Sequence, residues 1–305
     1  MRCTPKHLRG EVGYALVAVL WMVSASMLLV SALVFQARTE LRTVTAGRDM
    51  ALAEARGDAA IQLTLRAVGA DVKAFSSQRV LEVEFDGEVI QVMVTPLNGL
   101  IALNSATEPL LTALFLHGAA LEPGLAQVLA QRVIDWRDPD SAPLPKGAEN
   151  AEYAAAGVPF RTRGGAFEAP EDLLQVLGVD LETYDKIKSL ITVDGGSARI
   201  NPLAAPPEVL LVLAQGNAAV AGRIAAARDA GQVQVDTTSL MQEFIDQSAS
   251  PRFRLKALVP MGGERALLRT QVVDLAPPPS SRLPWSILRR ERAQGVSGDS
   301  LRALR

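Results

Sequence analysis

The sequence predicts an α+β fold in which a long N-terminal helix lies on a small antiparallel sheet and a large helical domain interrupts that sheet. Three observations support this prediction. An uncharged apolar run leads into a proline-free stretch of helix-forming residues. Two segments with the alternation of β-hairpins lie far apart in the chain. Between them lie about 150 residues with a largely helical pattern.

The apolar run extends from Tyr14 to Phe35 and contains no charged residue. As a helix it would be roughly 33 Å long, enough for a hydrocarbon core of ~30 Å. Arg2, Lys6 and Arg9 precede it, and positive residues tend to remain on the cytoplasmic side. We therefore expect residues 14–35 to span a membrane once, with most of the chain outside the cytoplasm.

Three interpretations of this run compete. A secretory signal peptide would have a shorter apolar region and a small-residue cleavage site after it. A plain signal anchor would be retained uncut. In the third interpretation, Gly13 at the cytoplasmic edge of the run resembles the last residue of a type IV prepilin leader, residues 1–13 here. That resemblance, which we favour, implies that a prepilin peptidase cuts between Gly13 and Tyr14 and that the apolar helix is kept.

The helix is expected to continue past the membrane from Gln36 to about Val68, although Gly47 and Gly57 weaken a straight helix. A β-hairpin follows, with Asp86-Gly87 as its turn. Two further strands are predicted over 253–259 and 266–275. The predicted divisions after the membrane segment are 36–100, the first part of a pilin-like domain; 101–250, the inserted helical domain; 251–276, the last strands of the pilin-like domain; and 277–305, a disordered basic tail.

Leucine-rich segments with an acidic residue near the start recur in the insertion, each followed by glycine at 118, 178 or 216. This pattern is similar to helix–hairpin–helix or SAM-like packing. Phosphate-binding hairpins of that type expose backbone N–H groups through a second glycine, which is missing here, and Asp180 would repel phosphate. We therefore expect a structural use of the repeat and no nucleic-acid binding.

The residue composition limits which disulfides, metal sites and catalytic sites the chain can form. The formal net charge is −2, the one cysteine is Cys3, and the two histidines are His7 and His117. No disulfide within the chain is therefore predicted, and a histidine-based zinc site has little support. Motifs for a nucleophile elbow, a P-loop or an HExxH zinc site are absent from the sequence. These observations predict that the protein is not an enzyme.

An acidic stretch points to a metal. It reads Asp-Trp-Arg-Asp-Pro-Asp from Asp135 to Asp140, followed by Gly-Ala-Glu-Asn-Ala-Glu-Tyr from Gly147 to Tyr153. Acids so close together repel one another unless a cation lies between them, and oxygen ligands from flexible loops suit Ca²⁺. The alternative is a solvated loop in which Asp135 and Asp138 cap helices or pair with Arg137. The candidate ligands are Asp135, Asp138, Asp140, Glu149 and Glu152.

Taken together, these features resemble the type II secretion minor pseudopilin K family. Its members lack the glutamate that most pseudopilins carry at the fifth mature position, which is Ala18 here. The order of the leader, the segment 97–104, the acidic loop and Glu171-Asp172-Leu173-Leu174 carries the resemblance. The sequence departs from the family at Asn150 and Ala151, where relatives often have acids.

The resemblance implies a subunit at the tip of the secretion pseudopilus that helps to start assembly and protein export. Its implied partners are the minor pseudopilins I and J, the prepilin peptidase and the bacterial inner membrane, which it would cross once with its C-terminal domain in the periplasm. It also implies a structural Ca²⁺ in the acidic loop. The alternatives are a membrane-anchored binding module or a minor pilin of a type IV pilus with competence-like DNA contact.

Overall fold

The structure is a computed structural model that describes residues 12–232, 234–276 and 284–297, with backbone only for residues 12, 13 and 297. The α-helices are α1 Val12–Ala70, α2 Glu108–Ala113, α3 Pro123–Arg137, α4 Asn150–Ala155, α5 Leu181–Ile187, α6 Pro207–Leu213 and α7 Ala218–Asp229. The strands are β1 Arg79–Phe85, β2 Glu88–Pro96, β3 Ile101–Ala102, β4 Ile191–Thr192, β5 Arg252–Pro260, β6 Arg265–Asp274, β7 Ser286–Arg290 and β8 Gln294–Ser297. The chain forms two compact units, one ending at Ala53 and the other beginning at Glu54.

The first unit consists of the N-terminal part of α1. Its side chains from Tyr14 to Phe35 are all exposed, and an 18-residue window of the helix has a mean hydropathy of 2.3. By length and composition this helix can cross a membrane, as the sequence predicts. Residues 1–11 of the predicted leader lie outside the described residues.

The second unit contains an antiparallel sheet in the order β1-β2-β5-β6-β7, with β8 also paired to β6. The β1–β2 hairpin turns at Asp86-Gly87, where φ is +53° and +76°. Positive φ at both central residues is the requirement of the tight hairpin turn that an Asp-Gly pair favours. The predicted hairpin is therefore present. The two later predicted strands are also present as β5 and β6, which pair with each other along the whole of β5.

The last turns of α1 cover one face of this sheet. Ala60, Ile61 and Leu65 are completely buried. A Cβ at Gly57 would lie 3.0 Å from the Cβ of Arg269 on β6, so a glycine lets helix and strand approach closely. The helix therefore continues through Gly57 to Ala70, and the glycine has a packing role here.

Asp58 fixes this packing with charge-assisted hydrogen bonds. Arg269 Nε and Gln271 Nε2 both donate to Asp58 Oδ1 at 2.7 Å, and the Asp58 side chain is 35% exposed. These bonds join α1 to β6, which are more than 200 residues apart in the sequence. They therefore stabilise a long-range contact between the helix and the sheet.

Residues 97–251 form the insertion between β2 and β5. They contain α2–α7 and a small parallel pair, β3–β4, in which Ile101 lies opposite Ile191. The core of the insertion is apolar and tightly buried, and its largest side chains include Leu103, Leu110, Phe115, Trp136 and Tyr153. The predicted α+β fold, with a long N-terminal helix, an antiparallel sheet and an inserted helical domain, is confirmed.

The C-terminal segment corrects one prediction. The composition predicts a disordered basic tail over 277–305, but this segment contains β7 and β8, which pair with successive parts of β6. The edge of β6 supplies backbone hydrogen-bond partners, which composition does not indicate. Arg289 also forms an ion pair with Asp194 of the insertion at 2.6 Å. The predicted tail residues 277–283 and 298–305 lie outside the described residues.

Candidate metal centre

The C-terminal end of α3 positions the acidic loop. Trp136 is 1% exposed and stacks on Phe167, with ring centroids 4.2 Å apart. Arg137 donates hydrogen bonds to the carbonyl oxygens of Leu103 and Ala106. Because the last two helical residues are held in this way, the direction in which the chain leaves α3 at Asp138 is fixed.

Three carboxylates converge beyond this helix end. One oxygen each from Asp138, Asp140 and Glu149 lies within 4.8 Å of the other two. Glu149 is buried, Asp138 is half-buried and Asp140 is exposed. The cluster therefore has an inner and an outer side, and it contains three of the five ligands predicted from the sequence.

Two buried oxygens of these carboxylates have no hydrogen-bond donor among the described residues. Asp138 Oδ1 and Glu149 Oε1 are buried, and no described residue donates a hydrogen bond to either. Burial raises the pKa of Asp138; Asp140 raises it further by repulsion, and Arg137 opposes the rise. Burial also raises the pKa of Glu149, against a hydrogen bond from Thr162. Buried carboxylates without donors are favourable only when protonated or beside a cation.

Asp135, also a predicted ligand, forms hydrogen bonds with the backbone of the loop. It is completely buried, and its Oδ2 accepts a hydrogen bond from the backbone N–H of Leu144 at 3.1 Å. A Cβ at Gly147 would lie 1.7 Å from the same oxygen, so the loop wraps directly over the carboxylate. Burial raises the pKa of Asp135 to about 6, opposed by hydrogen bonds from the backbone of Leu144 and Ala148. Asp135 therefore shapes the loop and is not among the three clustered carboxylates.

Glu152 also acts on the loop from outside the cluster. Its Oε2 accepts a hydrogen bond from the backbone N–H of Glu149 at 2.8 Å, at the start of α4. An acid three residues into a helix commonly holds the helix start in this way. The bond fixes Glu149, which makes Glu152 a positioning residue in this geometry.

Thr162 also contacts the cluster, although the sequence does not predict it. Its hydroxyl donates to Glu149 Oε2 at 3.0 Å and lies 3.2 Å from Asn150 Oδ1. It leaves the other oxygen of Glu149, Oε1, without a donor among the described residues. No motif marks this threonine, which lies between two arginines about a dozen residues from the loop.

The donor set fits a hard divalent cation. Three carboxylates with two buried, unpartnered oxygens supply negative charge and oxygen ligands, which Ca²⁺ prefers, and a half-open side leaves room for waters. His117 lies apart, in the turn that follows α2, and burial lowers its pKa. A soft-metal site is not formed by these residues.

Comparisons with known proteins agree on one family. Residues 97–195 match the family model described as Type II secretion system (T2SS), protein K. A Type II secretion system protein K from Pectobacterium carotovorum subsp. carotovorum is 33% identical over 93 residues. That alignment covers 30% of this chain and 28% of the relative, so it spans little more than a quarter of the relative's length.

The fold is also similar to a solved structure. A chain of the GspK-GspI-GspJ complex from the enterotoxigenic Escherichia coli Type 2 Secretion System superposes with a TM-score of 0.55 at 17% identity. The superposition covers 86% of this chain and 99% of the other, so the likeness of fold extends well beyond the family segment. The matched segment 97–195 contains the whole carboxylate cluster. The resemblance to type II secretion system protein K that the sequence predicts is therefore confirmed.

Proposed function

We propose that this protein is a minor pseudopilin at the tip of a type II secretion pseudopilus, where it helps to start assembly and so supports protein export. The observation that carries the proposal is the combination of a protein K segment with a membrane-spanning candidate helix and the fold of a chain in a GspK-GspI-GspJ complex. In this role the protein acts by assembly and not by catalysis.

The insertion supports a terminal position. Pseudopilins stack through their helices, and a bulky insertion of residues 97–251 in the sheet would obstruct a further subunit above it. Ala18 supports the same position, because a buried glutamate in lipid is costly unless it is paired. A subunit with no neighbour above it does not need that charge.

The proposed partners are the minor pseudopilins I and J of the same system. The test is to co-express the full chain with both partners in membranes, extract them in maltoside detergent and measure mass by light scattering after size exclusion. The proposal expects one complex containing all three chains. A full-length chain that elutes without either partner, while I and J still associate with each other, would contradict it.

The proposed location is the inner membrane, crossed once, with residues from Glu54 onward in the periplasm. The basic residues before the apolar run support this orientation. Added protease should digest the C-terminal part in spheroplasts and not in intact cells. Digestion only after the inner membrane is broken would place that part in the cytoplasm and reject the topology.

A structural Ca²⁺ is proposed for the carboxylate cluster. Asp138, Asp140 and Glu149 would hold the ion, which would supply positive charge to the two unpartnered buried oxygens. Asp135 and Glu152 would keep the loop in the binding conformation from outside. The ion would stabilise the insertion, and calorimetric titration of the chelator-treated full chain tests for it. Saturable binding at about one ion per chain is expected, and no heat of binding would reject the site.

A further inference from the structure

Two basic side chains of β5, Arg254 and Lys256, lie on the face of the sheet that the insertion covers. They are two residues apart on one strand, so they point to the same side. In the strand register, Thr95 of β2 lies beside Arg254, and Thr270 of β6 lies beside Lys256. The basic side chains are therefore surrounded by neighbours on both sides within the sheet and by the insertion above it.

Arg254 is almost completely buried and only partly satisfied. It is 4% exposed; its Nη2 donates to the carbonyl of Ile191 at 2.6 Å, and its Nη1 reaches the carbonyl of Ser189 at 3.5 Å. Its Nε is buried, and no described residue accepts a hydrogen bond from it. A buried charged donor without an acceptor is unfavourable, so an acceptor is expected in the adjoining space.

Lys256 lacks a counterion among the residues that the structure describes. None of them accepts a hydrogen bond from its ammonium group or forms an ion pair with it. Burial lowers the pKa of Lys256 to about 8, and repulsion from Arg254 adds to this effect. Two neighbouring cations in a partly dry space attract an anion more strongly than either would in water.

The space itself is present. Arg254 and Lys256 line two partly open cavities, one of about 230 Å³ and one of about 190 Å³, each well above the ~10–15 Å³ that one water molecule needs on the same measure. Thr270 and Tyr184 also line the larger cavity, and Thr95 and Ser189 line the smaller one. Hydroxyl donors therefore surround the two cations.

The larger cavity is lined by three cations, Lys188, Arg254 and Lys256, and by two carboxylates, Glu171 and Glu291. Because Lys188 forms an ion pair with Asp185, the other two cations face an equal number of carboxylates, so an anion would be attracted by the unpaired donors and not by net charge. Glu171 interacts with the Tyr184 hydroxyl, and Glu291 attracts Arg254 and Lys256 without forming an ion pair with either. Glu208 in the smaller cavity faces the same two cations, which outnumber it.

We propose that the space beside Arg254 and Lys256 binds a small oxyanion, either inorganic phosphate or a carboxylate. The Arg254 Nε–H, the Lys256 ammonium and the Thr270 hydroxyl are the donors. These donors belong to the sheet, whereas Ser189, which lines both cavities, belongs to the insertion. An anion bound between them therefore stabilises the packing of the insertion on the sheet. This site is separate from the carboxylate cluster and does not depend on the proposed calcium.

The test uses the full chain in maltoside detergent, freed of calcium and then desalted, and two probes. Inorganic phosphate and acetate are titrated separately at pH 7, with binding followed by calorimetry and by the melting temperature. Saturable binding of one anion per chain is expected. A stronger effect of phosphate identifies a phosphate-type ligand, and a stronger effect of acetate identifies a carboxylate.

Lys256→Met removes the charge and retains the length of the side chain. We expect it to weaken binding by about tenfold or more, because hydrogen bonds to charged groups contribute on that scale. Its melting temperature without anion should not fall, since the charge that is removed is half-buried and has no ion pair among the described residues. Lys256→Arg should keep the binding. Lys73→Met, at an exposed lysine, is the matched control and should bind like the parent chain.

Two results would overturn the proposal. One is the absence of saturable binding for both probes at millimolar concentration, which would mean that water fills the space. The other is unchanged affinity in Lys256→Met, which would mean that any bound ion is adventitious and lies elsewhere.

Discussion

Replacing Asp138 by asparagine should change the stability of the chain in opposite directions with and without calcium. Without calcium the three clustered carboxylates repel each other. Two unit charges 4.8 Å apart interact by about 3.5 kcal/mol at an effective dielectric constant of ~20. Because Asp140 is exposed, solvent screening reduces this to about 1 kcal/mol. Asp138→Asn should therefore raise the calcium-free melting temperature by about 2–4 °C.

With calcium the same substitution should be harmful. At a calcium concentration of 100 times the dissociation constant, binding stabilises the parent chain by about 2.7 kcal/mol. Loss of one charged ligand should weaken affinity by about tenfold or more, which leaves about 1.4 kcal/mol at the same concentration. The calcium-induced rise in melting temperature should thus fall to about half or less.

The assay is thermal unfolding of the full chain with excess chelator and with added calcium. Asp185→Asn is the matched control, since Asp185 lies on α5, outside the carboxylate cluster, and forms an exposed ion pair with Lys188. It should change the melting temperature by the same small amount in both conditions. If Asp138→Asn retains the full calcium-induced rise, the assignment of the cluster as a calcium site is wrong.

Three further predictions concern the supports of the site and the fold. Because burial raises the pKa of Asp135 to about 6, the folded state binds its proton more tightly than the unfolded state, so stability should fall as pH rises from about 4 to about 6. Asp135→Asn should flatten that fall in calcium-free melting curves, and an unchanged slope would refute the assignment. Gly147→Ala should lower stability by about 1–3 kcal/mol in urea unfolding, because its Cβ would overlap the Asp135 carboxylate, whereas Gly124→Ala, with open space around it, should not. Asp58→Asn should lower the free energy of unfolding by about 1–3 kcal/mol, because it weakens the hydrogen bonds from α1 to β6. Asp86→Asn, which removes an exposed ion pair with Arg56, should lower it by less than about 1 kcal/mol. Equal effects of the two substitutions would contradict the proposed packing of α1.

The local patterns predicted the fold well where residue type decides backbone geometry. An Asp-Gly pair between alternating strands specified the β1–β2 hairpin, because few other residues adopt positive φ at both turn positions. The uncharged run and the proline-free stretch behind it specified α1. Each of these signals depends on residues that are close together in the sequence, so it can be recognised without knowing which distant residues are in contact.

Other features depend on contacts that distant residues make. Asp135 and Asp138 look alike in the sequence, and only the path of the loop over Gly147 separates a loop-shaping acid from a clustered one. Arg254 and Lys256 alternate with apolar residues, which is the pattern of a strand with a solvated face, yet the insertion covers that face. The strands β7 and β8 exist because the edge of β6 is open, which basic composition cannot indicate.

The most direct test of the central claim is the N-terminal sequence and intact mass of the membrane-bound chain, produced with and without a prepilin peptidase. If the protein is a pseudopilin, its chain begins at Tyr14 only when the peptidase is present, and the apolar helix is kept. A chain that still begins at Met1 in the presence of an active peptidase, or one cut beyond Val34, would contradict the pseudopilin assignment.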